Sequence, residues 1–500
     1  MSQINRIIKL TLIFTSLVIC FANCIPSEEK SELVRHLESI FYDSSFVKIP
    51  QEEFNVKDYG AKGDGITLNT DAIQQAVDEA SEVGGGKVIF PEGTYLSGAL
   101  FIKSNVELHI DEDVTIKAIQ DDDAFPDIWT RIAGIEMEWP AALINVNNAE
   151  NVRISGKGTI DGNGKYWWDK FWGDPPRTGG MFVEYKKRDL RWALDYDCKR
   201  VRPLVVYKSE NVNLKNFRIE RSGFWAVTLT YSRRVHVNGI VIRNNIGGEG
   251  PSSDGINTDS SVDILVENCD VDCNDDNFAL KSGRGADGLR VNKPVEDVVY
   301  RNNLSRAGHG LFTIGSETAG GMKNIEVYGL EAEDTQYGIR FKSAKVRGGV
   351  IENIHFHDIK MNGVPYPFYF ELNWFPSYSY PEIPEEIPEE EIPGHWKKLT
   401  EKVKPKERGI PEFRDLVFED ITVKNAKQAF YANAYPEKPI HNLHWENITV
   451  QARKAGKISY AEDWTMKNVT MQTKNGEQVN LNNCNDIQLP SVISTVNEEN

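Results

Sequence analysis

Cysteine is scarce, with six in 500 residues. Cys20 and Cys24 lie in or just after an N-terminal apolar run. The other four, Cys198, Cys269, Cys273 and Cys484, are too few and too scattered for a disulfide framework. Cys269 and Cys273 have no second pair or histidine at zinc spacing, so buried free thiols are expected there. Positive charge is also short: 57 Lys and Arg against 74 Asp and Glu leave a net charge of −17. That balance argues against nucleic acid and against an anionic membrane surface, both of which need a broad basic face. Helical periodicity is nearly missing. One segment, Thr70 to Val83, sets Ala72, Ile73, Ala76, Val77 and Ala80 on one face and ends at Gly84-Gly85-Gly86.

What is present starts with Arg6 and Lys9 ahead of the apolar run Leu10 to Ala22, after which the chain turns polar beyond Pro26. The run is too short for a membrane span and reads as an export signal over residues 1–24. Lipidation at Cys20 or Cys24 is left open, so the expected destinations are the periplasm, the outer membrane through a lipid anchor, or the medium. Residues 25–50 read as a linker.

From about residue 100 a phrase recurs: a short β-branched stretch, then Asn or Asp, then another stretch. NVELHIDEDVTI, NVRISGKGTIDG, NVNLKNFRIERS, SVDILVENCDVD, IENIHFHDIKMN and IHNLHWENITVQ are clear copies. Starts separated by roughly 20 to 35 residues signal a solenoid. Strand-like units between turn residues favour an all-β, single-stranded right-handed parallel β-helix over residues 51–490. Such a stack has an open end, which the Thr70–Val83 helix would cap. Asparagines at the turns would form side-chain ladders. Two interruptions, near 125–200 and 361–413, read as loop insertions; the second offers Trp374, Tyr378 and Tyr380 to a ligand.

Chemistry concentrates between Ser252 and Lys342, where Asn257-Thr258-Asp259, Asn274-Asp275-Asp276, Gly308-His309-Gly310 and Arg340-Phe341-Lys342 follow one another. Hydrolysis of a glycosidic bond needs one protonated carboxyl group and one ionised one, and these motifs supply both. Adjacent residues of a strand face opposite ways, so an Asp-Asp pair sharing one site implies a distorted backbone. Asp259, roughly one coil earlier, fits the broad range of about 6.5 to 9.5 Å that leaves room for water between acid and base. For an acidic substrate a local cluster must supply the attraction, because screening removes longer-range effects; Arg284, Arg290, Arg306, Arg340 and Lys342 are the candidates.

The stretch NVKDYGAKGDGITLNTDAIQQAVDEASEVGGGKVIFPEGTYLSG resembles the opening of the pectin-degrading β-helix superfamily. The four motifs in this order resemble, more narrowly, the polygalacturonase-like glycoside hydrolases of family 28. The likeness extends from about Phe54 to Asp486.

That resemblance implies an inverting hydrolase with no metal or other cofactor, acting on α-linked galacturonic acid in pectic chains. It makes Asp275 or Asp276 the general acid, with the family order pointing to Asp275. Asp259 with the other of the pair would activate water, and His309 would set the donor's protonation. Arg340 and Lys342 would grip the sugar through its carboxylate, with Asn257 and Trp225 as further substrate contacts. A monomer is expected, and the long insertions favour exo action.

Departures from the family pattern are Arg221-Ser222-Gly223-Phe224-Trp225 after the fifth coil, Phe341 inside the last motif and Asn274 before the Asp pair. They leave the sugar open. A rhamnose- or rhamnogalacturonan-directed hydrolase, a calcium-dependent pectate lyase and a non-cutting polysaccharide-binding β-helix are the alternatives.

Overall fold

A computed structural model describes residues 30–175 and 177–494; the expected export signal, with Cys20 and Cys24, lies outside them. Strands stack in parallel, coil upon coil, into one right-handed parallel β-helix. One ladder sets the register for everything that follows. It pairs Leu204 with Val227, then Ile256, Phe278, Phe312, Ile339, Phe368 and finally Phe430. These residues are buried and belong to one continuous core. Neighbouring coils repeat the same inner position, so no coil could bury that face alone. Inside the stack aromatic rings pile directly, with Phe341 4.1 Å from Phe370 and Phe418 4.0 Å from Trp445.

The expected asparagine ladders are present. Asn105, Asn151 and Asn211 turn the chain at φ values of 63°, 56° and 55°, a left-handed conformation that Asn tolerates better than other non-glycine residues. Each amide donates to the one before it at 3.3 Å.

The capping helix runs Thr70–Glu82, with Val83 as its C-cap, and buries Ile73, Ala76, Val77 and Ala80. The reading of 25–50 as a linker is corrected, because Glu32–Phe41 forms a further helix. Its Val34, Leu37 and Phe41 pack on Leu265 and Val299, and Arg301 joins Glu38 at 2.7 Å to Glu267 at 2.8 Å. The segment therefore docks on the flank of the central coils. Cys198, Cys269 and Cys273 are buried free thiols, while Cys484 is half-buried.

The insertions fold against each other. Residues 127–140 form an antiparallel hairpin, Asp127–Ile132 with Ile135–Pro140, followed by the helices Lys165–Trp172, Gly180–Lys187 and Leu194–Asp197. The second interruption starts later than residue 361, since Val350–Asn362 and Tyr366–Glu371 both continue the ladders. Trp192 of the first insertion meets Trp396 of the second at 5.1 Å, and Asp197 takes hydrogen bonds from the Trp396 indole and pairs with His395. Together they build a second hydrophobic core outside the solenoid and over one stretch of its outer face.

Candidate active site

Between the insertions and the ladder lies a cavity of about 340 Å³. Its floor comes from four consecutive coils: Asp254, then Asp275 and Asp276, then His309, then Arg340 and Lys342. Trp225, Trp374, Phe375 and Tyr378 supply aromatic walls. One carboxylate oxygen from each of Asp254, Asp275 and Asp276 lies within 4.8 Å of the others.

The backbone explains how adjacent aspartates share one site. Asp275 occupies a bend, and Asp276 opens the strand Asp276–Lys281. By alternation Asp276 should face inward with Phe278 and Leu280. Its carboxylate instead accepts from Thr313 Oγ1 at 2.8 Å, Arg340 at 3.3 Å and Lys342 Nζ at 2.6 Å. The first residue of the strand is thus twisted to the outer face, as the Asp-Asp argument required. Asp275 Oδ1 caps the Asp276 N–H at 3.0 Å and lies 3.6 Å from His309 Nδ1.

Of the residues expected at the site, Asp275, Asp276, His309, Arg340, Lys342 and Trp225 line the cavity, while Asp259 and Asn257 do not. The register gives the reason. Ile256 pairs with Phe278 and Asp259 with Lys281, so the residue beneath Asp276 is Asp254. Gly255 N–H donates to Asp276 O at 2.9 Å, and a side chain at Gly255 would strike Asn277 O, its Cβ at 2.3 Å. The five residue steps from Asp254 to Asp259 span about 16 Å of extended chain. Asp259 is buried against Arg131 of the hairpin at 3.2 Å, and Asn257 is buried with neither amide atom hydrogen-bonded among the described residues. The sequence signal for Asp254 was Ser252-Ser253-Asp254-Gly255, passed over for the literal Asn-Thr-Asp that follows it.

The expected five-cation cluster is also corrected. Arg284 is buried on Tyr196 Oη at 2.7 Å and the Tyr378 carbonyl at 2.6 Å. Arg290 pairs with Asp287 and Arg306 with Asp270. Lys281 joins Arg340 and Lys342 instead, 3.4 Å from Asp254 and 3.6 Å from Glu317. Trp374 and Tyr378 do face the cavity, whereas Tyr380 donates to Asn373 Oδ1 at 2.8 Å and lines a neighbouring chamber instead.

Residues 83–384 match the sequence profile of the glycosyl hydrolases family 28. The chain belongs to that family. It is 27% identical over 448 residues to a probable polygalacturonase of Vitis vinifera, covering 87% of this chain and 80% of that one. Against an exo-poly-alpha-D-galacturonosidase of Dickeya chrysanthemi it is 27% identical over 340 residues, 62% of this chain and 55% of that one. Its fold superposes on a hyperthermoactive exopolygalacturonase from Thermotoga maritima with a TM-score of 0.71 and 26% identity, covering 90% of this chain and 96% of that one.

As a family 28 glycoside hydrolase, the protein must hold carboxyls in different protonation states, and the site does so. Burial opposes the charge of Asp276, but Lys342, Arg340 and Lys281 outweigh it and keep its carboxyl far below the usual range. Burial and the negative charge of Asp275 push Asp254 up to about 8. Asp275 is half-buried, yet His309 beside it holds its carboxyl below the ordinary value, and His309 is raised in return. Three crowded carboxylates cannot all ionise cheaply, so the cluster favours retaining a proton, held most tightly at Asp254. A carboxylate triad this compact is a candidate cation site. Lys281, Arg340 and Lys342 already bring three positive charges to it, so these residues do not fit a resident divalent metal.

Proposed function

We propose that this family 28 hydrolase is an exported, exo-acting polygalacturonase that inverts the anomeric centre. The reading is carried by one observation: a cluster of three carboxylates, ringed by lysine and arginine, inside a walled cavity. The polygalacturonase names of the Vitis and Dickeya relatives support the same substrate class.

In this reading the galacturonate carboxylate is taken by Arg340 and Lys342, and Arg340 Nε is a buried donor with no protein partner among the described residues. Asp275 is the proton donor. Its side chain is 27% exposed, against 3% for Asp254 and 1% for Asp276, so it is the carboxyl that can reach a glycosidic oxygen. An anionic sugar arriving beside Asp275 raises its affinity for the shared proton, leaving Asp254 and Asp276 ionised to hold one water between them. The water oxygen bonds to the anomeric carbon as the glycosidic bond breaks. Asp275 protonates the leaving oxygen, and a water proton returns to Asp254 or Asp276. The nearest-oxygen spacing, within 4.8 Å, is shorter than the roughly 6.5 to 9.5 Å usual for inverting pairs. Inversion is supported by the family resemblance and by the third carboxylate, which completes a pair able to activate water.

Exo action is supported by the hairpin at 127–140. Its Arg131 sits on Asp259 and donates to Ser260 Oγ at 2.7 Å, covering the outer face of the coil that carries Asp254. Its turn residue Gly134 abuts Arg284 and Glu317. A polymer running through the cleft would have to displace this wall. Export is supported by the apolar run Leu10 to Ala22 behind Arg6 and Lys9.

The test is early-turnover proton NMR with mass spectrometry on defined oligogalacturonates. Monogalacturonate released first, as the β-anomer, is the expected result. Initial α-anomer would refute inversion, a spread of internal products would refute exo action, and an unsaturated product would make the enzyme a lyase.

A further inference from the structure

The inner cavity does not end at the carboxylates. A second chamber of about 1170 Å³ lies beside it, and Arg191 and Phe375 line both. They come from different insertions: Arg191 precedes the helix Leu194–Asp197, and Phe375 lies at the start of the second insertion. Arg191 stands 5.5 Å from the ring centres of both Phe375 and Tyr378, so the two insertions meet as a neck.

The charge at this neck is only partly used. Arg191 contacts Asp195 Oδ2 at 2.8 Å through a single nitrogen. The other oxygen of Asp195 is held at 2.7 Å by the fully buried Arg200 and at 3.1 Å by Ser252. One carboxylate therefore serves two guanidinium groups, and a net positive charge remains. Arg200 sits in its own aromatic bed, 4.3 Å from Phe224 and 4.5 Å from Phe171, so the Asp195–Arg200 pair does not need Arg191. Beside Arg191, Phe375 is 40% exposed, an apolar face of the kind on which sugar rings stack.

We propose that Arg191, backed by Phe375, is a second carboxylate-reading subsite, which takes a further uronate of the substrate where the chain leaves the inner cavity. The inference rests on the polygalacturonase reading and adds a specificity-determining residue that the solenoid does not supply. It is confined to the neck. Lys186, Lys187 and Lys402 line the outer chamber, but so do Glu382, Glu385 and Glu386, and the two sets offset each other.

The experiment compares the parent with Arg191→Gln and Phe375→Ala on di- to hexagalacturonate, and on oligomers methyl-esterified throughout except at the cleavage point. Losing a charge-assisted contact should cost Arg191→Gln on the order of tenfold in kcat/KM, mostly in KM. The loss should be absent on the shortest substrate, set in at the length that reaches the neck, and vanish on the esterified oligomers. Phe375→Ala, which also removes part of the inner cavity's wall, should lose some activity at every length and lose more beyond the same threshold, on both acid and ester. A uniform loss at every length, or none at any length, would overturn the subsite. A parent inactive on every uronide would instead remove the polygalacturonase reading itself.

Discussion

Asp254→Asn separates the assignment made here from the one suggested by the Asn-Thr-Asp motif. Asp254 is 3% exposed and its carboxyl is pushed up to about 8, first by burial and then by Asp275. A carboxyl raised in the folded state binds its proton more tightly there than in the unfolded chain. The stability it contributes is present at low pH and is lost as pH rises from about 4 toward 8, by an amount on the order of a few kcal/mol. An asparagine has the same shape and never ionises. Asp254→Asn should therefore match the parent in melting temperature near pH 4 and exceed it increasingly above pH 6. Turnover should meanwhile fall on the order of 10² to 10⁴, the scale of lost general acid or base catalysis. Asp259→Asn is the control. Asp259 is raised to about 6, mainly by burial, so the melting curves should diverge in the same direction over a lower window, with turnover within a few-fold of parental. The assays are thermal melts across pH and reducing-sugar kinetics on oligogalacturonate. If Asp254→Asn keeps more than about a tenth of parental turnover, or Asp259→Asn loses as much as it does, the register argument is wrong.

The pH dependence of kcat/KM should fall on a basic limb near pH 8 as the cluster gives up its shared proton. His309→Gln removes the cation that holds Asp275 down; the rate should drop and that limb should move to higher pH, and an unmoved limb would detach His309 from the donor. Arg340→Gln should cost about 2 to 5 kcal/mol of transition-state binding on galacturonate and little further on a substrate methyl-esterified at the cleavage point; equal parental activity on acid and ester would mean these cations do not read a carboxylate. Incubation with a chelator should leave activity unchanged, because three cations already serve the carboxylates; a loss restored by calcium would count against hydrolysis as proposed.

The solenoid was legible in the chain because its determinants are local. A strand of alternating β-branched residues, an Asn able to turn left-handed, and repetition at a near-constant period require no knowledge of distant contacts, and they dictate that coils stack. The same holds for the Thr70–Glu82 cap, whose apolar stripe has one place to go. Asp275, Asp276, His309, Arg340 and Lys342 were readable for a related reason: they lie on three successive coils, which parallel stacking brings together. What tertiary structure alone decided depends on offsets that a repeat does not specify. Whether Asp254 or Asp259 meets the Asp pair turns on a register of a few residues, and every residue of slip reverses the face a side chain presents. Arg284, Arg290 and Arg306 read as site cations until the fold supplied nearer partners, Tyr196 of an insertion for the first and Asp287 and Asp270 of the coils for the others. The docking of Glu32–Phe41 on Leu265 and Val299, and the meeting of Arg191 with Phe375, join segments far apart in sequence through surfaces that exist only once the solenoid has formed.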